Sequence, residues 1–226
     1  MPGTRSRAHV FDASPLRETL DALVDFGRLS DGPVRLLVTA VDLETGGDVT
    51  FDSHAGGIQI EHLLASTAFP VAFTPVTIDG RVYVDPGVSA NLPILPLFAL
   101  GHADEVLCLA LDLVTAPGKT PGSLDETVKR LHDLIFASQS RHALELLQGS
   151  SIKALSGKTA IVHLSYDGNE KEIGGKSLDY STQSVRLRWA AGKAATQKVL
   201  TQWGNIILAD AHPVYRLRGN ELTRPD

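Results

Sequence analysis

The nine residues Val76 to Val84, Val-Thr-Ile-Asp-Gly-Arg-Val-Tyr-Val, leave the chain one good local fold. Apolar residues alternate on either side of Asp79-Gly80, a dipeptide suited to the positive φ angles of a two-residue type I′ turn. The pattern predicts a hairpin and delivers the next residue, Asp85, to the end of a strand. Pro86-Gly87 then force a turn. Proline holds its own φ, removes an N–H and biases Asp85 toward extended geometry. The bland reading of Asp85 is a turn residue. A carboxylate at a strand end can also serve as the general-base or orienting partner of a nucleophile.

The rest of the chain reads as strands alternating with helices, which argues an α/β fold. Ser14-Pro15 suits the start of a helix that Gly27 closes. Val34 to Val41 is a near-continuous, β-branched-rich apolar run, expected of a strand covered on both faces. Asp48 to Phe51 reads as its partner, and His62 to Phe69 as a helix stopped before Pro70. Glu105 to Asp112 reads as another buried strand, and Thr115 to Gly122, rich in Pro and Gly, as a loop. Ser123-Leu124-Asp125-Glu126 is a capping box that predicts a long helix to about Gly149. An alternating strand follows over Thr159 to Tyr166, and an exposed stretch over Glu170 to Lys176. A last helix, capped by Ser181 or Ser184, runs through Trp203, and the final dozen residues read as a loose tail.

Composition narrows the function classes. Across 226 residues, 21 basic and 26 acidic side chains give a net charge of −5, so no global positive field recruits nucleic acid. The single cysteine, Cys108, excludes an intramolecular disulfide framework and a multi-cysteine zinc site, and its apolar neighbours predict a buried thiol with a raised pKa. The eight histidines show no metal-ligand spacing, so no metal and no cofactor is expected. His163, inside an alternating strand, reads as core-edge or surface. The N-terminus is polar and basic without an apolar core, and the longest apolar stretch, Leu92 to Leu100, is broken by Pro93 and Pro96. A cytoplasmic protein with room for peripheral membrane contact is expected.

Several stretches together resemble one family. They are Leu16 to Phe26, Arg35 to Phe51, Leu64-Ala65-Ser66-Thr67-Ala68-Phe69-Pro70, Phe73-Thr74-Pro75-Val76, and Ile78 through Asp85-Pro86-Gly87 to Pro93. Gly101 to Val106 continues the match. These segments resemble the patatin-like phospholipases. Leu178-Asp179-Tyr180-Ser181 and Ser184 to Gly192 are similar to the C-terminal extension of bacterial members. The resemblance implies a patatin-like three-layer α/β sandwich, of which residues 1–115 are the C-terminal part. An α+β extension over 116–226 (helix, strand, helix, tail) would follow.

It also implies lipid acyl hydrolysis by a Ser–Asp dyad, with Asp85 in the position of the dyad aspartate. Two departures qualify that. No Gly-x-Ser-x-Gly occurs in the chain, nor a glycine-rich oxyanion loop; Gly87-Val88-Ser89 and Gly175-Lys176-Ser177 are the nearest fragments. The turn reads Asp-Pro-Gly where the family has Asp-Gly-Gly or Asp-Gly-Ala. The chain is therefore expected to be incomplete at its N-terminus and inactive alone. It would act on an acyl lipid or ester when a partner chain carries the serine elbow. The alternative is a non-catalytic, truncated homologue serving as a binding module or remnant. A half-domain would leave apolar strand edges at Val34 to Val41 and Glu105 to Asp112, so homo-oligomers are expected.

Overall fold

The computed structural model describes residues 10–100, 104–148, 158–166, 179, 181–210 and 213–224. Among them the chain is mixed α/β, with two four-stranded sheets and six helices. It divides into two compact units, Met1–Pro96 and Leu97–Asp226, each with its own sheet. The stretches 1–9, Glu170 to Lys176 and Gly175-Lys176-Ser177 lie outside the described residues.

In the first unit, β1 (Leu37–Asp42) and β2 (Asp48–Asp52) form one hairpin, and β3 (Val76–Ile78) and β4 (Arg81–Val84) the other. The predicted turn is present. Asp79 and Gly80 have φ of 49° and 80°, and Ile78 pairs directly with Arg81 across them. The strand order is β2-β1-β4-β3, antiparallel throughout. The Val34 to Val41 run supplies β1, which pairs with β2 along Leu37 to Val41 but with β4 only at Val41 and Asp42, so among the described residues Leu37 to Ala40 has no strand partner on the β4 side. Its apolar character matches its position, since five consecutive residues of β1 are buried.

Helix α1 (Ser14–Leu23) begins with Ser14 already inside, because Asp12 accepts hydrogen bonds from the Ser14 N–H and hydroxyl. It ends before Gly27. A second short helix, α2 (Phe26–Asp31), takes over, capped by Asp25, whose side chain accepts the Arg28 N–H. α3 (Ile60–Ala65) lays Ala65 against Ala40, Ile78 and Tyr83 to make the first core, with Val49, Phe51 and Val76 around it. His62 closes the α3 N-terminus by accepting the Gln59 N–H at Nδ1 and stacks on Phe51 with ring centroids 4.0 Å apart. Burial holds its pKa below the usual imidazole value.

Two charged clamps fix the ends of the first hairpin. Arg35 grips both carboxylate oxygens of Asp52, and that hydrogen bonding brings the Asp52 pKa down to about 2. At the other end Asp42, only 2% exposed, accepts the Glu44 and Thr45 N–H groups at Oδ1 and Arg81 at Oδ2. A short helix, α4 (Leu95–Ala99), spans the sequence position where the units divide.

The second unit carries the order β5-β6-β7-β8. β5 (Glu105–Asp112) and β6 (Lys158–Ser165) are parallel, as are β6 and β7 (Val214–Arg218), while β8 (Glu221–Thr223) returns antiparallel. The last two strands correct the expectation of a loose tail. Gly219-Asn220 is a two-residue hairpin signal of the kind that marks Asp79-Gly80, and Gly219 takes φ of 61°.

α5 (Leu124–Gln148) starts where the capping box predicts: Ser123 accepts the Glu126 N–H, and Glu126 reaches back to Gly122. α6 (Thr182–Thr201) is capped by Ser181, which accepts the Ser184 N–H. Its Val199 joins Ala160, Val162 and Tyr215 in the second core. β5 is an edge strand and only half buried, with Leu109 57% and Leu111 71% exposed. Cys108, on its inner face, is buried, and burial raises its thiol pKa. No helix among the described residues is long and apolar enough to cross a membrane.

Candidate functional site

β4 is buried over Tyr83 and Val84 and holds its last residues against β1, where Val41 pairs with Val84. Asp85 follows directly. Its backbone N–H donates to the Ala68 carbonyl at 3.1 Å, which ties the strand end to the turn after α3. Its φ and ψ are −54° and 132°, the extended geometry that Pro86 demands of its predecessor. The proline substitution for glycine therefore does not disorder the turn. Pro86–Val88 wind into one 3-10 turn, and the Asp85 carboxylate accepts the Gly87 N–H at 2.7 Å.

The Asp85 side chain sits half-buried between Val84 and Pro86, both buried. Burial pushes its pKa up, and the Gly87 hydrogen bond offsets part of that rise. Among the described residues no other hydrogen bond reaches this carboxylate. Ser89, the residue that the Gly87-Val88-Ser89 fragment raises, ends the 3-10 turn by donating its N–H to the Pro86 carbonyl.

The turn that receives the Asp85 N–H is strained. Val71 has φ of 72°, in the left-handed region where a β-branched residue is an outlier. The Val71 and Ala72 carbonyls accept the Val10 N–H, and Ala72 also accepts the Phe11 N–H, which holds the conformation in place. The valine side chain is 74% exposed, so it contributes little burial in return. Val71→Gly is expected to stabilise the first unit by about 1 kcal/mol, because glycine removes the steric cost at modest entropic expense. Urea denaturation followed by far-ultraviolet circular dichroism checks this; an unchanged or lower midpoint would show that Val71 is relaxed.

Sequence reasoning missed a second polar cluster, in the other unit. Asp112, the last residue of β5, is 7% exposed. Its Oδ1 accepts the Val114 N–H at 3.0 Å, and Ser140 of α5 hydrogen-bonds to it. His163 Nε2 of β6 lies 3.4 Å from Asp112 Oδ2, a charge contact whenever the imidazole is protonated. Burial pushes the Asp112 carboxyl up, yet His163, Ser140 and the Val114 N–H together outweigh it and leave the pKa below the usual value. A strand-ending aspartate and a histidine in the next strand are each unremarkable in sequence. Only the parallel β5–β6 register brings them together.

The family model described as Patatin-like phospholipase matches residues 1–98, and a second, DUF3734, described as Patatin phospholipase, matches residues 118–205. No curated protein matches the chain.

Proposed function

The chain belongs to the patatin-like phospholipase family, and from that we propose that it contributes the aspartate of a Ser–Asp acyl hydrolase, with Asp85 as the general base. The observation that carries this reading is the Asp85 turn: a half-buried carboxylate at a strand end, held by one backbone N–H.

In the proposed reaction a serine Oγ attacks the carbonyl carbon of an acyl ester while Asp85 accepts its proton. The tetrahedral intermediate collapses, the ester C–O bond breaks, and Asp85 passes the proton to the departing alcohol. Water then adds to the acyl-serine with Asp85 again as base, releasing the fatty acid and restoring the hydroxyl. Burial suits Asp85 to this work, because a carboxylate with a raised pKa is a stronger base.

The serine is proposed to lie on a segment that this sequence does not contain, since no Gly-x-Ser-x-Gly occurs in it. The Gly87 N–H is already committed to Asp85 and is unsuited to serve as an oxyanion donor. The chain alone is therefore expected to give no covalent adduct with a serine-directed fluorophosphonate. Mass spectrometry after labelling reads this directly, and a stoichiometric adduct on any serine of this chain would overturn the assignment. Slow hydrolysis of a p-nitrophenyl acyl ester without an adduct would instead locate the activity in a contaminating esterase.

A further inference from the structure

The parallel strands β5, β6 and β7 end together, and the space beyond their carboxyl ends is where open α/β sheets bind ligands. A cavity of about 950 Å³ lies there, within the second unit. Its charged lining comprises Lys119, Arg141, Arg216 and Arg218 against Asp112 and Glu145. The loop carrying Lys119 is anchored from behind by Arg130, which donates to the Ala116 carbonyl.

The two acids are already matched. Asp112 faces Ser140, the Val114 N–H and His163, and Glu145 lies 3.6 Å from Arg141. Arg216 and Arg218 are different. They project from the same face of β7, about 7 Å apart by strand geometry. Neither guanidinium makes a hydrogen bond or ion pair among the described residues. Arg216 is half-buried; desolvation and the like charge of Arg218 lower its pKa, and the charge of Glu145 offsets part of that fall. Two adjacent cations, one partly desolvated and neither hydrogen-bonded among the described residues, favour a negative group bound between them.

We infer that this cavity binds a phosphate-bearing ligand, with Arg216 and Arg218 gripping the phosphate at the carboxyl end of β7. A phosphomonoester carries about two negative charges near neutrality, matching the two adjacent guanidiniums, and its oxygens suit the guanidinium fork. The cavity volume falls within the range of small-molecule sites, so the body of the ligand has room beside the phosphate. The shared chemistry covers both a free phosphorylated metabolite and a phosphatidic acid headgroup.

Calorimetric titration of the whole chain with inorganic phosphate and with glycerol 3-phosphate, alongside sedimentation with phosphatidylcholine vesicles with and without phosphatidic acid, separates those sources. Saturable binding of the soluble probes assigns a free ligand, whereas binding only to phosphatidic acid vesicles assigns the headgroup. In either case the double change Arg216→Gln and Arg218→Gln should weaken binding at least about tenfold. Glu145→Gln, at an exposed position unconnected with the core, should tighten it about two- to fivefold by removing a competing carboxylate. No binding to any of these probes overturns the inference. So does binding whose affinity neither variant changes.

Discussion

Asp85→Asn is expected to abolish ester hydrolysis in the completed enzyme while leaving the fold intact. The assay pairs this chain with a segment carrying Gly-x-Ser-x-Gly, starting with the coding sequence immediately upstream, and follows release of p-nitrophenol from an acyl ester. Loss of the general base from a nucleophile dyad should lower the rate by about a thousandfold or more. Asparagine keeps the oxygen that accepts the Gly87 N–H, so the 3-10 turn over Pro86–Val88 should survive.

Stability should move the other way. Burial raises the Asp85 pKa in the folded chain above its unfolded value. The folded form therefore holds its proton more tightly, and stability is lost as pH rises through that folded pKa. Above that pKa the ionised carboxylate opposes folding, and removing its charge should there leave the melting temperature unchanged or raised. The same shift places the acid limb of the wild-type pH–rate profile above the ordinary aspartate value. A folded variant that retains hydrolysis would exclude Asp85 as the base, and an unfolded one would overturn the stability prediction.

Asp112→Ala should have the largest effect on stability. It strips the acceptor from the Val114 N–H and from Ser140, and removes the carboxylate facing His163, at a position 7% exposed. Buried donors left unpaired cost about 1–3 kcal/mol each, so a loss of about 3 kcal/mol or more is expected. Both tryptophans, Trp189 and Trp203, lie in the second unit, so fluorescence in urea reports on that unit alone. Asp112→Asn retains an acceptor for Val114 and should cost less. The wild-type pKa lies below its unfolded value, so the stabilisation should fade as pH falls through the carboxylate range. A midpoint unchanged by Asp112→Ala would mean that the cluster is solvated and contributes nothing to folding.

Where the chemistry of a turn or cap was local, the sequence was a sufficient guide. Asp79-Gly80 specifies a hairpin because the required φ angles belong to those two residues. Ser123 and Glu126 start α5 because their side chains reach N–H groups within four residues. Cys108 is legible as a buried, unreactive thiol from its apolar neighbours. The β7–β8 hairpin was open to the same reasoning through Gly219-Asn220, yet its charged residues, Arg216 and Arg218, obscured a strand that is fully buried only at Val214 and Tyr215.

The sequence by itself thus determined the hairpin, the helix starts, the mixed α/β class and the placement of Asp85 at a strand end. Tertiary structure alone decided that β4 joins β1 at Val41 and Asp42, that Asp85 is half-buried, and that Asp112 meets His163. The physical reason is range. Turns, caps and proline restrictions act within about four residues, whereas burial and pKa depend on neighbours brought in by strand register, and Asp112 and His163 are 51 positions apart. Arg216 and Arg218 sharpen the point: in sequence they are two ordinary surface cations, and only the parallel order of β5, β6 and β7 gathers them around a cavity.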